Sequence, residues 1–351
     1  MRIKKEVRKI VASVLAFLMV VSLIPVNSLM TKANAASKTT FEGGKTVEDG
    51  TWKGWTWNVF GSSTDVTKAF ATDTGNGGVT LEVTGDKGKI NGSASDQGLN
   101  TFLYELDKSY DFTITAQAKV DTLAANAQAA FGLTIRDNVG AHGNTAKLTA
   151  DKNNFAFVGG YGNQAASGHG NAGYKTTALA HTRLGESPEV GGTYDLAIQK
   201  VGDSVKLYFN GEVAAECSAD DLITDNAMYV GLFAARNAKV TFNNVKLAYT
   251  QDSSSVKVTT NVTAPKKTTY CAGNTYEDVD LTGFKATVSV DGKEREITAS
   301  DCVVDMSNDP FAEVTDAGKL NLLYLGQTIE VPITVIKEVV SDMYIEYMPV
   351  K

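Results

Sequence analysis

Tyr194-Asp195-Leu196-Ala197-Ile198-Gln199 alternates polar and apolar residues, reaches Gly202-Asp203, and resumes as Val205-Lys206-Leu207-Tyr208-Phe209 before Asn210-Gly211-Glu212. Alternation with period two places every second side chain on one face of an extended strand. Asn-Gly supplies the two positive-φ residues that a tight hairpin turn requires. The stretch therefore reads as consecutive antiparallel strands joined by two-residue turns. The same texture runs outward in both directions. Thr80–Thr84, Phe112–Val120, Ala130–Ile135 and Phe155–Val158 precede it, and Tyr229–Phe233 and Val240–Leu247 follow. Between residues 41 and 249 no apolar run at helical spacing reaches 12 residues, so this segment is expected to form one large antiparallel sandwich.

The flanking segments read differently. Arg2, Lys4, Lys5, Arg8 and Lys9 precede an apolar run from Ile10 to Pro25, and Ala33-Asn34-Ala35 gives the small-x-small pattern of a signal-peptidase site. Residues 1–35 are thus expected to be a signal peptide, and the protein to be secreted and extracellular. The apolar run is short for a bilayer span, which needs about 20 residues. Residues 37–250 form the expected sandwich domain, and 251–258 a polar, Ser-rich linker. Residues 259–336 carry strands at Lys285–Val290, Glu294–Ile297, Leu320–Tyr324 and Ile329–Val335, which suits a small immunoglobulin-like sandwich. The tail, 337–351, ends Ile345-Glu346-Tyr347-Met348-Pro349-Val350-Lys351. It echoes Val262-Thr263-Ala264-Pro265-Lys266-Lys267 and reads either as the start of a further repeat or as an ordinary terminal strand.

Composition narrows the function. Of 351 residues, 33 are Lys or Arg and 40 Asp or Glu. Residues 1–35 hold six of the cations and one Glu, leaving 27 against 39, a net charge of −12. So acidic a chain is a poor partner for nucleic acid. Three histidines, His142, His169 and His181, show no zinc spacing. No cofactor is indicated. A structural calcium is the one metal with oxygen donors to hand, Asp73, Asn76 and Asp86, but Asp73–Gly78 lacks the later ligands of an EF-hand loop and reads as a turn. Cys271 and Cys302 lie in the same small domain and would suit a disulfide in an exported protein; the alternative is three small buried hydrophobes with Cys217.

Several strings carry candidate chemistry. Gly168-His169-Gly170-Asn171-Ala172-Gly173 matches the dinucleotide fingerprint, but β-prone residues follow where a helix is required. The glycine-rich stretch 159–173 reads instead as a long loop at one end of the sandwich, offering Tyr161 and His169 to a ligand. Glu105-Leu106-Asp107 approaches the carboxylate strand of sandwich-fold glucanases, yet Ser109 and Tyr110 stand where the proton donor belongs. Trp57, with Trp55 and Trp52, is either a flat face for a sugar ring or core packing. Arg136-Asp137 and Arg236-Asn237 each end an apolar strand. They suit bidentate contacts to sugar hydroxyls or uronates, or a structural pair tying two loops together.

Leu133-Thr134-Ile135-Arg136-Asp137, Gly231–Val245 and the hairpin Tyr194–Glu212 resemble the concanavalin A-like (laminin-G/jelly-roll) domains of exported bacterial carbohydrate-active proteins. Tyr270-x-x-Gly273, Leu281-Thr282-Gly283-Phe284 and Val290-Asp291-Gly292 resemble bacterial Ig-like domains. The resemblance implies an all-β chain, a large antiparallel jelly-roll β-sandwich followed by a small immunoglobulin-like β-sandwich. Such sandwiches are attached to polysaccharide lyases and pectate-lyase-like enzymes. This chain has neither β-helix repeats nor a glucanase triad. The expectation is a secreted, non-catalytic protein that binds a polysaccharide or oligosaccharide through Arg136, Asp137, Arg236, Asn237, Tyr161, His169 and Trp57. The rivals are an enzyme on the same sandwich, either a polysaccharide lyase using Arg136, Tyr161 and His169 or a glycoside hydrolase, and a purely structural or adhesive surface protein.

Overall fold

A computed structural model describes residues 39–61, 64–90, 97–125, 128–148, 153–161, 170–175, 185 and 188–337. The expected signal peptide, His169, His181 and nearly all of the tail lie outside the described residues. The deciding hairpins form as read. Strands β10 (Thr193–Val201), β11 (Ser204–Phe209) and β12 (Glu212–Ser218) are antiparallel and joined at 202–203 and 210–211. Asn210 and Gly211 have φ of 49° and 84°, the backbone state a type I′ turn demands.

The larger body is an antiparallel jelly-roll sandwich. Its first strands are β1 (Thr39–Thr40), β2 (Trp55–Phe60), β3 (Ala69–Asp73), β4 (Val79–Val83), β5 (Leu99–Asp107) and β6 (Asp111–Leu123). Then come β7 (Ala130–Arg136), β8 (Phe155–Tyr161) and β9 (Gly170–Lys175), and after β12 the helical turn α1 (Ala219–Leu222), β13 (Ala227–Ala235) and β14 (Ala238–Thr250). One sheet has the order β1-β3-β4-β14-β6-β10-β11-β12, the other β2-β5-β13-β7-β8-β9. Period two decides the core between them. Val79, Leu81 and Val83 of β4, and Phe112, Ile114, Ala116, Ala118 and Val120 of β6, face Phe131, Leu133 and Ile135 of β7 and Val230 and Leu232 of β13 across one apolar layer.

The six-stranded sheet is buried on its other face as well, which alternation does not foretell. Phe155, Phe157 and Tyr161 of β8, Phe233 and Ala235 of β13, Ala130 and Leu99 pack there with Phe60 and Ile90. Segments on either side of this layer pin the roof. Gly61 N donates to Asn144 O at 2.9 Å, Gly143 N to Val59 O at 2.8 Å, and Lys89 and Gly98 exchange backbone bonds. The ends of the stretch 159–173, read above as a loop, are strand: Gly159 to Tyr161 close β8, and Gly170–Lys175 is β9, paired with it.

A smaller body follows. β15 (Lys257–Thr263), β17 (Lys285–Val290) and β18 (Lys293–Thr298) form one sheet. β16 (Thr269–Cys271), β21 (Gln327–Ile336), β20 (Thr315–Tyr324) and β19 (Val303–Asp305) form the other, in that order. Val288, Val290, Leu320, Leu322, Val331 and Ile333 fill the space between. The disulfide expectation is corrected here. Cys217, Cys271 and Cys302 are all free thiols. Cys271 ends β16 and Cys302 precedes β19, at opposite edges of a four-stranded sheet with two strands between them. Three inter-strand spacings alone amount to about 14 Å, twice what a disulfide spans.

The Ser-rich segment expected to be a linker is instead held in place. Ser253 N donates to Asp111 Oδ2 at 3.4 Å, Gln327 Nε2 to Ser253 O at 2.9 Å, and Thr250 Oγ1 to Asp291 Oδ1 at 2.6 Å. Leu325 N donates to Thr113 Oγ1 and Thr115 Oγ1 to Ser300 O, so hydroxyls on the outer face of β6 hold the smaller body directly. Ala197 and Tyr208 of the large sheet share a small apolar cluster with Val303.

Candidate functional site

The residues expected to share a binding face do not meet. In the register of β13 with β7, Tyr229 sits opposite Arg136 and Ala235 opposite Ala130. Arg136 and Arg236 therefore lie at opposite ends of the sheet, separated by six residues of strand, about 20 Å. This corrects the expected site, and the packing of each member gives the reason.

Arg136 points onto the roofed face and is 0% exposed. Its guanidinium lies 5.7 Å from the Phe60 ring centre and 5.4 Å from that of Phe155. Nε donates to Asn138 O at 3.1 Å, and Nη2 to Gln97 Oε1 at 2.9 Å and Asn153 Oδ1 at 2.6 Å. Nη1 has no hydrogen-bond partner among the described residues. Burial lowers the Arg136 pKa to about 10, partly opposed by the nearby Asp137 carboxylate. Asp137, also buried, accepts from Asn154 N at 2.9 Å and Asn154 Nδ2 at 3.0 Å. Burial raises its pKa to about 6 against the pull of Arg136. These two residues tie segments to the sheet.

The others are likewise engaged. Trp57 belongs to the inter-sheet core and donates from Nε1 to Asn100 Oδ1 at 2.7 Å; Asn100 Nδ2 in turn reaches Phe70 O and Glu82 O on the opposite sheet. Tyr161 is buried edge-on to Phe157. Arg236 Nε donates to Gly88 O at 3.1 Å, and the Asn237 amide, turned so that nitrogen donates, bonds Thr84 O and Gly85 O at 3.0 Å each. Both occupy positive-φ turn positions. Of the groups a lyase reading would use, Arg136 and Tyr161 are enclosed. Glu105 and Asp107 end β5, where Asp107 Oδ1 accepts from Ser109 N. Asp73 Oδ1 accepts from Gly75 N, closing the expected turn. Among the described residues no three His, Cys, Asp or Glu side chains are grouped to hold a metal.

An open recess lies elsewhere, where the outer face of the eight-stranded sheet meets the smaller body. It is a cleft of about 840 Å³. The sheet contributes Gln117 from β6, Asp195 from β10, Phe209 from β11, Asn210 and Glu212 from the hairpin, and Asn244 from β14; the smaller body contributes Tyr276, Glu277, Val279, Leu281 and Met306. Hairpin geometry fixes the polar rim. Asp195 N donates to Asn210 Oδ1 at 2.9 Å, Asn210 N to Asp195 O at 2.7 Å, and Gln117 Nε2 to Asp195 Oδ1 at 3.2 Å. The Phe209 ring itself turns to the inter-sheet side, stacked at a tilt on Tyr194, 5.3 Å between centroids, so that strand borders the cleft with its end rather than with this ring. Tyr276 is held by its hydroxyl, whose one proton goes to Asn308 O at 2.7 Å with Asp305 O also in reach at 3.1 Å, and by its ring against Phe311. Tyr208, deeper in the wall, has its pKa raised to about 12 by burial and by Asp305 and Glu216, so it stays a neutral phenol. Flat rings beside amides and carboxylates are the chemistry that accommodates C–H faces and hydroxyls of sugars.

The sequence marked Asn210-Gly211 as a turn but not as a rim. That property exists only because Gly211 meets the other body: a Cβ there would lie 2.5 Å from Met306 Sδ.

No family model matches the chain. Pectate lyase L of Thermoclostridium stercorarium is 28% identical over 300 residues, covering 85% of this chain and 22% of that protein. The chain thus spans about a fifth of the length of the curated relative it matches. Among solved structures, a carbohydrate-binding module from Bacillus subtilis aligns over 61% of this chain and 96% of its own at 16% identity, TM-score 0.31. Lectin II from Ulex europaeus aligns over 60% and 96% at 10% identity, TM-score 0.36. An alginate lyase from a Corynebacterium species aligns over 49% and 77% at 10% identity, TM-score 0.31.

Proposed function

We propose that this chain is a non-catalytic carbohydrate-binding unit, exported through the signal in residues 1–35, which serves a longer extracellular polysaccharide-processing protein. The observation that carries this reading is the cleft between the two bodies, where the half-buried ring of Tyr276 faces a sheet wall that carries the amides of Gln117, Asn210 and Asn244. A sugar ring presents apolar C–H faces and hydroxyl edges, and such a mixed wall satisfies both. Similarity to a fifth of a pectate lyase supports an accessory place beside plant cell-wall chemistry. In this reading the smaller body is an Ig-like unit that completes the site rather than a loose spacer.

Native gel electrophoresis through arabinan, galactan, xylan and mixed-linkage β-glucan tests the proposal. At least one polymer should retard the protein, and Tyr276→Ala should weaken that retardation about tenfold or more while circular dichroism stays unchanged. Migration unaffected by all of them would overturn the reading, as would undiminished retardation of the variant.

A further inference from the structure

We infer that the cleft selects an uncharged saccharide and turns away a uronate-rich one; this deepens the binding reading above and rests on it. Three carboxylates line the cleft: Asp195 and Glu212 from the sheet, and Glu277 from the smaller body. All three are exposed. Asn210, Gln117 and Asn244 are the amides on the sheet side, joined by the hydroxyl-bearing Thr115, Thr193 and Tyr208, and among the described residues no Lys, Arg or His lines the cleft. Lys246, opposite Thr115 in the β6–β14 pairing, and Lys119, opposite Thr193 in the β6–β10 pairing and ion-paired with Asp121, are exposed on that face and outside the lining.

The donor and acceptor balance suits hydroxyls. An ionised carboxylate only accepts hydrogen bonds, and a neutral sugar offers O–H donors along its edge. Asp195 Oδ1 already accepts from Gln117, leaving Oδ2 for a ligand; Asn210 uses Oδ1 on Asp195 N, leaving its Nδ2 as a donor to a ring or glycosidic oxygen. A uronate brings a second set of acceptors and a negative charge into a cleft already lined by three acidic residues. Like charges brought together with no cation between them oppose binding, and less so as salt screens them.

The net negative charge of the whole chain repels polyanions too, so the test must separate the site from the surface. One variant combines Asp195→Asn, Glu212→Gln and Glu277→Gln; a control combines Glu48→Gln, Asp49→Asn and Glu313→Gln, exposed residues outside the cleft lining. Both remove the same charge. Native gels at low salt carry either polygalacturonate or the neutral polymer that retards the wild type. The wild type should be retarded by the neutral polymer at least tenfold more strongly than by polygalacturonate. The cleft variant should gain polygalacturonate binding about tenfold, and the control should not. Equal retardation of the wild type by both polymers, no gain in the cleft variant, or the same gain in the control would overturn the inference. Failure of every neutral polymer would overturn the binding reading itself.

Discussion

Arg136 Nη2 and Asn153 Oδ1 meet at 2.6 Å, 17 residues apart in sequence, and the same nitrogen also reaches Gln97 Oε1. One guanidinium thereby joins two separate segments to the outer face of the six-stranded sheet, between the rings of Phe60 and Phe155. Arg136→Met should remove the shared donor from both amides and destabilise the fold by about 2–5 kcal/mol. Arg136→Lys keeps the charge but not the planar fork, and should recover only part of that loss. Urea unfolding of both variants checks this. Stability unchanged in Arg136→Met would show that the guanidinium is not a structural tie.

Trp57 is wedged between the sheets with its N–H on Asn100 Oδ1, 2.7 Å away. Trp57→Phe should leave that buried carbonyl without its donor and lose about 1–3 kcal/mol. Saccharide retention under folding conditions should be unaffected. A variant of normal stability that no longer binds sugar would return Trp57 to the binding surface.

Burial raises the Asp137 carboxyl from 3.8 to about 6 despite Arg136. The folded protein holds this proton more tightly than the unfolded chain, so acid favours the fold. The contribution is full below pH 3.8 and is lost as pH rises through about 6, a change of about 2–3 kcal/mol. Asp137→Asn lacks the titration. The stability difference between wild type and variant, from urea melts at pH 4, 5, 6 and 7, should move against the wild type as pH rises. Parallel profiles would show that the carboxyl is not held up.

Gly211 touches Met306 across the boundary between the bodies and sits at φ 84°. Gly211→Val adds a branched side chain to a positive-φ position and to a filled space. Destabilisation of about 1–3 kcal/mol is expected, with saccharide retention weakened because the rim residues Asn210 and Glu212 shift with the turn. Undiminished retention would place the ligand away from this hairpin.

Local sequence determined the strands and their turns. Alternation between Tyr194 and Phe209 with Asn210-Gly211 after it leaves a chain little choice, because side-chain period and positive-φ turns are properties of neighbouring residues. The β-branched segments at 80–84, 112–120 and 285–290 became strands β4, β6 and β17 for the same reason. Tertiary structure decided what each strand end was for. Arg136 and Arg236 look alike in sequence, each a basic residue closing an apolar strand; antiparallel pairing sent them to opposite ends, and the roof over one face enclosed Arg136. The cleft was equally hidden. Gln117, Asp195, Asn210 and Tyr276 are scattered over some 160 residues and share a wall only after the smaller body docks on the hydroxyls of Thr113 and Thr115. Burial and proximity between distant residues depend on how faces stack, and period two names the faces without naming what covers them.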